Sequence, residues 1–306
     1  RLDCTPGDGS ARLLSIADLA QPMETRGPLI DRAMKLSEIY DRWKSFEEGG
    51  YSYTVDIHGA KARAPGIHAS EIGCERRIVY SLRDEPRQPS HAESARDLMM
   101  RRKFSIGHAF HAMMQKEFER VCAWMNAAAG EVVLTFEAEV KIHPSLGAIA
   151  EKWGMHSSCD GRFIWWWQGQ PYLQVGVEFK TKSGPEYEKL TKPEEDHFEQ
   201  TCFYQAALDI PLMWTFYYNK SNSNYTKSEP PWFFQFDHTL WSKLESRFGS
   251  AVRHAQSGTL PDRNEGFHCT WCPWAHTCGP AIARTFQQQN YMTKNAGAFR
   301  KVPVTP

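Results

Sequence analysis

The chain has 306 residues, of which 41% are hydrophobic and 13% aromatic, so it can bury a sizeable core in one large domain or two smaller ones. Lysine plus arginine and aspartate plus glutamate each number 36, so no overall basic field indicates a nucleic-acid-binding protein. No stretch approaches the roughly 18 apolar residues of a membrane helix, and residues 1–10 lack the apolar core of a signal peptide. We therefore expect a soluble, cytoplasmic protein.

The predicted elements describe one domain between two terminal segments. Residues 1–30 are expected to be a loosely ordered lead-in, residues 31–280 a single domain, and residues 281–306 a C-terminal tail. Helical spacing of apolar residues predicts helices at 31–48, 92–128, 194–209 and 238–257. Apolar alternation predicts strands at 131–142, 156–167, 171–182, 212–220 and 232–236, the second and third forming a hairpin. This order predicts an α/β fold with a mixed sheet flanked by helices.

The second strand of the hairpin, "QVGVEFKTKSG" (174–184), carries an acid and a base on one face. Glu178 and Lys180 are two residues apart, so their side chains lie side by side. In isolation such a pair is commonly plain surface charge. Asp160, however, is on the partner strand, and two carboxylates on neighbouring strands can bind a divalent cation. Phosphodiester cleavage needs such a cation, with Lys180 to steady the developing negative charge.

Eight cysteines are present, and three of them, Cys269, Cys272 and Cys278, have the spacing C-x2-C-x5-C. Cys74 is the candidate fourth ligand of a shared metal centre. Structural zinc usually takes its ligands as two short pairs, so the one-plus-three arrangement favours an iron–sulfur cluster. Zinc and four unligated buried thiols are the alternatives. A cluster would close a loop of about two-thirds of the chain and act as a structural clasp.

These residues carry a resemblance to the PD-(D/E)XK nuclease superfamily, whose core is a mixed sheet flanked by helices, as in restriction endonucleases. The segments "CDGRF" and "GVEFK" resemble its D…E-x-K motif. Gly107 and His111 match the G-x3-H motif of the RecB-like branch, and Gln200 and Tyr204 match its Q-x3-Y motif. The four cysteines are similar to those of cluster-bearing RecB-like nucleases, including the CRISPR-associated exonucleases.

The resemblance implies roles for the matched positions. Those that would hold Mg²⁺ or Mn²⁺ are His111, Asp160, Glu178 and the main-chain carbonyl of Phe179. Lys180 would serve the attacking water, and Gln200 and Tyr204 would line the DNA side. Those that would hold a [4Fe-4S] cluster are Cys74, Cys269, Cys272 and Cys278. A nitrogen ligand predicts that Mn²⁺ supports higher activity than Mg²⁺. His108 is the alternative histidine.

Three further sets of residues lie near the motifs: basic residues, a run of tryptophans and several acids. Basic residues that flank the motifs are candidate phosphate contacts: Arg76, Arg77, Arg101, Arg102 and Lys103. The run Trp165–Trp167 is interpreted as hairpin packing, with stacking of unpaired bases as the alternative. Nearby acids are interpreted as surface or strand charges, with membership of the site for one of them as the alternative: Glu117, Glu137 and Glu139.

The expected function is a metal-dependent DNA exonuclease in DNA recombination or processing, in a viral, CRISPR-related or cellular setting. Family chemistry implies in-line attack of water on phosphorus that leaves a 5′-phosphate. The expected partners are DNA with free ends, further copies of the chain or a recombination protein, and no membrane. The alternatives are a structure-specific endonuclease of the same fold and a non-catalytic, zinc-containing nucleic-acid-binding protein.

Overall fold

The computed structural model describes residues 29–46, 63–87, 95–222, 232–264, 266, 269 and 272–279. The helices of this part of the chain are α1 (Leu29–Phe46), α2 (Glu75–Leu82), α3 (Ala95–Ala129), α4 (Ala148–Trp153), α5 (Gly184–Glu188), α6 (Glu195–Leu208), α7 (His238–Ser257) and α8 (Ala275–Cys278). The strands are β1 (Leu134–Ile142), β2 (Ser157–Trp167), β3 (Gln170–Lys182), β4 (Leu212–Asn219) and β5 (Trp232–Gln235). The predicted tail and nearly all of the lead-in lie outside these residues.

The five strands form one mixed sheet in the order β1-β2-β3-β4-β5. Strands β3 and β4 are parallel, and the other neighbours are antiparallel. Gly161 of β2 lies opposite Val177 of β3 in the predicted hairpin. Its turn has Gln168 and Gly169 at φ of 48° and 73°, as a tight turn between twisted strands requires. The mixed α/β architecture and the hairpin are therefore confirmed.

Apolar side chains cover both faces of the sheet. On one face α1 and α3 pack over β2, β3 and β4. The ring of Phe118 lies at the centre of this core, with centroids 5.0 Å from Phe163, 5.5 Å from Phe179 and 5.8 Å from Trp214. On the other face α2, α6 and α7 pack against a second core. The sheet is thus the middle layer of three.

A close approach between β1 and β2 depends on Gly161. A Cβ atom at this residue would lie 2.2 Å from the ring of Phe136 on β1. Glycine therefore lets an aromatic ring pack directly beside Asp160, the next residue of β2. No helix among the described residues is long and apolar enough to cross a membrane.

We expect Phe118→Ala to destabilise the protein by about 3–5 kcal/mol, because a fully buried ring between two layers leaves a cavity that its aromatic neighbours cannot fill. Urea unfolding followed by tryptophan fluorescence measures the change. Leu146→Ala is the control, since Leu146 is 66% exposed and its truncation should cost little. Equal losses in the two variants would contradict the central place of Phe118 in the core.

Candidate active site

Asp160 lies where α3, β2 and β3 meet. Its Oδ1 is 3.2 Å from Nδ1 of His111 on α3, and its Oδ2 accepts a hydrogen bond of 2.7 Å from the main-chain N–H of Phe179 on β3. Its main-chain carbonyl accepts a hydrogen bond of 2.8 Å from the side chain of Gln115, one helical turn after His111. The carboxylate therefore has a fixed orientation.

Glu178 and Lys180 lie on β3 beside Asp160 and are largely buried rather than exposed. The ammonium of Lys180 lies 2.7 Å from Oε1 of Glu178 and donates a hydrogen bond of 2.7 Å to Oε1 of Gln200 on α6. Glu178 is 5% exposed, and its Oε2 is buried without a hydrogen-bond partner. The acid and base of the strand thus form an ion pair with one unsatisfied carboxylate oxygen.

The charges in this group shift one another's pKa values. Burial raises the pKa of Glu178 to about 7, and the neighbouring charge of Asp160 adds to the shift. Burial would also raise the pKa of Asp160, but His111, Lys180 and the N–H of Phe179 lower it overall. Burial would lower the pKa of Lys180, but Glu178 and Asp160 raise it overall, so the amine stays a cation. The two carboxylates therefore ionise at different pH, Asp160 below Glu178.

The remaining motif residues occupy different positions. His111 contacts Asp160, whereas His108, the alternative histidine, is exposed on the same helix. Tyr204 is buried, and burial together with the charges of Glu178 and Asp160 raises the pKa of its hydroxyl. Tyr204 is therefore close enough to both carboxylates to interact with their charges, and its place on the DNA side stays a prediction. Gln200 is half-buried and contacts Lys180.

Gln115 and Glu139 belong to the site, although the sequence does not single out Gln115 and offers Glu139 only as an alternative. Gln115 donates hydrogen bonds to the Asp160 carbonyl and to Oε1 of Glu139. The four-residue spacing from His111 to Gln115 was a signal for Gln115, because residues four apart share a helix face. For Glu139 the sequence carried no signal beyond its charge.

The interpretation of Glu117 as a surface charge was wrong. Its side chain is buried, where its carboxylate accepts a hydrogen bond from the Tyr40 hydroxyl and lies 2.7 Å from the ammonium of Lys44. Burial next to this carboxylate raises the pKa of Tyr40. Glu117 therefore joins α3 to α1. Trp165 is in the core and Trp166 donates to Thr135 on β1, in keeping with hairpin packing.

A second group of ligand-type side chains lies at the start of α6. Glu194, Asp196 and His197 are the one set of three among the described residues whose ligand atoms all lie within 4.8 Å of one another. The ammonium of Lys182 is 2.5 Å from Oε2 of Glu194 and already supplies the positive charge there. The ligand atoms of His111, Asp160 and Glu178 are spread more widely.

The predicted cysteine ligands lie around α2 and α8. Cys74 precedes α2, Cys278 ends α8, and the main-chain N–H of Cys272 donates to the carbonyl of Cys269. Burial raises the pKa of Cys272 to about 11, and Cys74 and Cys278 are close enough to add to the shift. The fully buried ring of Trp274 packs against Tyr80 beside them. No disulfide involves Cys74, Cys272 or Cys278.

The basic residues proposed as phosphate contacts divide between two places. Arg76 donates a hydrogen bond to the carbonyl of Pro261 at 2.8 Å and to the sulfur of Cys278 at 3.6 Å. Its guanidinium therefore lies in the cysteine region. Arg77 lies beside it on α2, and its Nε is buried. Arg101, Arg102 and Lys103 are in α3, two to three turns before His111, but their side chains lie outside the described part of the structure. A phosphate-binding role for these five residues stays a prediction.

Comparison with known proteins gives weak similarities. No protein-family model matches the chain, and no curated protein matches it significantly. Among solved structures, SSO0001 is similar at a TM-score of 0.42 and 12% identity, covering 82% of this chain and 97% of that chain. LHK-Exo, an alkaline exonuclease of Laribacter hongkongensis, is similar at a TM-score of 0.33 and 13% identity. The structure of LHK-Exo in complex with dAMP is similar at a TM-score of 0.33 and 15% identity. Each of the two LHK-Exo matches covers 64% of this chain and 90% of that chain. These similarities are too low to transfer a function.

We expect the effect of Glu178→Gln on stability to depend on pH. The folded protein raises the pKa of Glu178 to about 7, so it favours the protonated carboxyl, and this contribution is lost as the pH rises through 7. Glutamine stays uncharged. Its advantage over glutamate should therefore grow by on the order of 2 kcal/mol between about pH 5 and about pH 8. Urea unfolding in EDTA measures this difference.

The control for this experiment is Glu131→Gln, which removes an exposed acid just before β1. Its difference from the wild type should change little over the same pH range, because the side chain of Glu131 is in contact with water in the folded chain as in the unfolded chain. A pH-independent difference between wild type and Glu178→Gln would show that Glu178 is not held in a charge-excluding environment.

Proposed function

We propose that the protein is a metal-dependent nuclease that hydrolyses phosphodiester bonds of DNA. The observation that carries this proposal is the convergence of His111, Asp160, Glu178 and Lys180 from two strands and a helix on one place. Two carboxylates, an imidazole and a lysine are a donor set that suits a divalent cation and a phosphate group. The resemblance of these residues to the RecB-like nucleases supports the same conclusion.

The site fits a divalent cation in two respects. The Oε2 atom of Glu178 is buried and has no hydrogen-bond partner, which is costly unless a cation or another donor satisfies it. Burial and the charge of Asp160 also raise the pKa of Glu178, and a bound cation would reverse this by stabilising both carboxylates. His111, Asp160, Glu178 and the carbonyl of Phe179 would hold Mg²⁺ or Mn²⁺.

Each side chain then has a distinct task. A divalent cation, when bound, supplies a water of lowered pKa and neutralises charge at the phosphate. Lys180 is a cation with a raised pKa, so it stabilises negative charge and donates to the attacking water rather than accepting its proton. Gln200 holds the Lys180 ammonium in place. The Phe179 N–H and His111 orient Asp160.

The cysteine region fits a metal–thiolate centre, and we propose a [4Fe-4S] cluster there. Structural zinc usually takes its ligands as two short pairs, whereas these cysteines come as one plus three along the chain, which favours a cluster. Arg76 close to Cys278 would offset thiolate charge. DNA ends are the proposed substrate, and recombination or DNA processing the proposed setting.

We expect Glu178→Gln and Lys180→Gln each to reduce DNA cleavage at least about a hundredfold, because they remove charge that acts on the reacting phosphate. End-labelled linear DNA is incubated with protein and Mn²⁺, and initial rates are compared with those in Mg²⁺, where we expect lower values. Covalently closed circular DNA in parallel tests for the endonuclease alternative. Both variants should retain the far-UV circular dichroism of the wild type.

Lys116→Gln is the matched control, since Lys116 lies on α3 and pairs with Glu119 at the surface. It should cleave at the wild-type rate. Cleavage by the Glu178→Gln and Lys180→Gln variants at the rate of this control would refute the proposed site. Cleavage of closed circles at the rate of linear DNA would replace the exonuclease by an endonuclease.

We expect purified protein to be brown and to contain iron, and Cys272→Ala to lose both properties, because a thiolate ligand of the cluster is removed. Iron and zinc are measured by plasma mass spectrometry alongside the visible spectrum. Cys122→Ala is the control, since Cys122 is a buried thiol of α3 far along the chain from the four ligands. A colourless wild type that contains zinc would favour the non-catalytic zinc protein if it also lacks cleavage.

A further inference from the structure

The pairing of β1 with β2 is interrupted directly opposite Asp160. Ala138 lies opposite Gly161 and Val140 opposite Cys159, while the intervening residue of β1, Glu139, has no partner in the ladder. Glu139 also has a φ of 52°, which a residue with a side chain rarely adopts. Such strained residues persist where the surrounding structure holds them, and they cluster at functional sites.

Two hydrogen bonds hold the side chain of Glu139. Its Oε1 accepts a hydrogen bond of 3.0 Å from Nε2 of Gln115, and its Oε2 accepts one of 2.7 Å from the hydroxyl of Ser158. Ser158 is on β2, two residues before Asp160. The carboxylate of β1 is therefore attached to α3 on one side and to β2 on the other, although it is exposed.

The amide of Gln115 connects this carboxylate with Asp160. The same Nε2 donates to Glu139 and, at 2.8 Å, to the main-chain carbonyl of Asp160, so each of its two hydrogens has an acceptor. Gln115 is 9% exposed and lies one helical turn after His111, which contacts the Asp160 carboxylate. One face of α3 thus holds both the main chain and the side chain of Asp160.

We propose that Gln115 and Glu139 are positioning residues that fix the main chain of Asp160 so that its carboxylate faces the cation and the Phe179 N–H. The part that concerns the cation rests on the proposed nuclease function. The carboxylate of Glu139 acts as an acceptor for Gln115 and not as a charge. The negative charge of Glu139 is therefore dispensable, whereas both N–H groups of Gln115 are required.

The variants Glu139→Gln and Glu139→Gly separate the role of Glu139 as a hydrogen-bond acceptor from the role of its charge. Glu139→Gln keeps an acceptor oxygen for Gln115 and a polar partner for Ser158 but removes the charge. Glu139→Gly suits the positive φ but removes both hydrogen bonds. Gln115→Glu keeps the shape of the side chain and replaces its two donors by an oxygen that faces two acceptors. Glu137→Gln is the control, an acid of the same strand that pairs with Arg162.

The first readout is amide hydrogen exchange in EDTA. The Phe179 N–H is bonded to the Asp160 carboxylate, so loss of that geometry exposes it. We expect its exchange to be about tenfold faster or more in Gln115→Glu and Glu139→Gly and unchanged in Glu139→Gln and Glu137→Gln. The Phe216 amide of β4 should not change in any variant. Unchanged exchange at Phe179 in Gln115→Glu would overturn the proposal, as would a Glu139→Gln variant as fast as Glu139→Gly.

The second readout is Mn²⁺ binding, followed by electron paramagnetic resonance without DNA. We expect the dissociation constant to rise about tenfold in Gln115→Glu and Glu139→Gly relative to the wild type and to be unchanged in Glu139→Gln and Glu137→Gln. Wild-type affinity in Gln115→Glu would overturn the link between positioning and the cation. A wild type that binds no Mn²⁺ would overturn the proposed function and this link together, while the exchange result still decides whether Gln115 positions Asp160.

Discussion

Asp160 is the residue on which the arrangement of the site depends. Its side chain and main chain together take hydrogen bonds from α3 and β3, so two elements and the strand that carries it are fixed relative to one another at a single residue. The neighbouring Gly161 allows the β1 ring of Phe136 to close over this point. Any movement of α3 relative to the sheet would therefore change the direction of the carboxylate.

The low exposure of the site gives its charges their strength. In isolation an acid and a base two residues apart on a strand are commonly plain surface charge, yet the structure encloses Glu178 and Lys180 between β3 and α6. In such a setting charges interact more strongly than in water, and an uncompensated one is costly. The opposite pKa shifts of Asp160 and Glu178 follow from this. His111, Lys180 and the Phe179 N–H lower the pKa of Asp160, whereas burial and the charge of Asp160 raise the pKa of Glu178.

Sequence patterns predicted elements well where a local rule applied. The hairpin of β2 and β3 and the helices α3, α6 and α7 lie within a few residues of their predicted bounds, since apolar periodicity and a two-residue turn determine them. The joining of His111 to Asp160 was predicted only through a motif. The burial of Glu117, the use of Arg76 at Cys278 and the strain at Glu139 depend on contacts between residues far apart in the chain, which no local pattern records.

The helix α3 runs unbroken from Ala95 to Ala129 and presents His111, Gln115 and Phe118 to the sheet on successive turns. Each residue of an α-helix turns the following ones by about 100°. One inserted or deleted residue between His111 and Phe118 would therefore swing either the imidazole or the core ring away from its partner, whereas extra residues at the turn after Trp167 would only lengthen an exposed loop. The length of this part of the helix, and not only its composition, is under constraint.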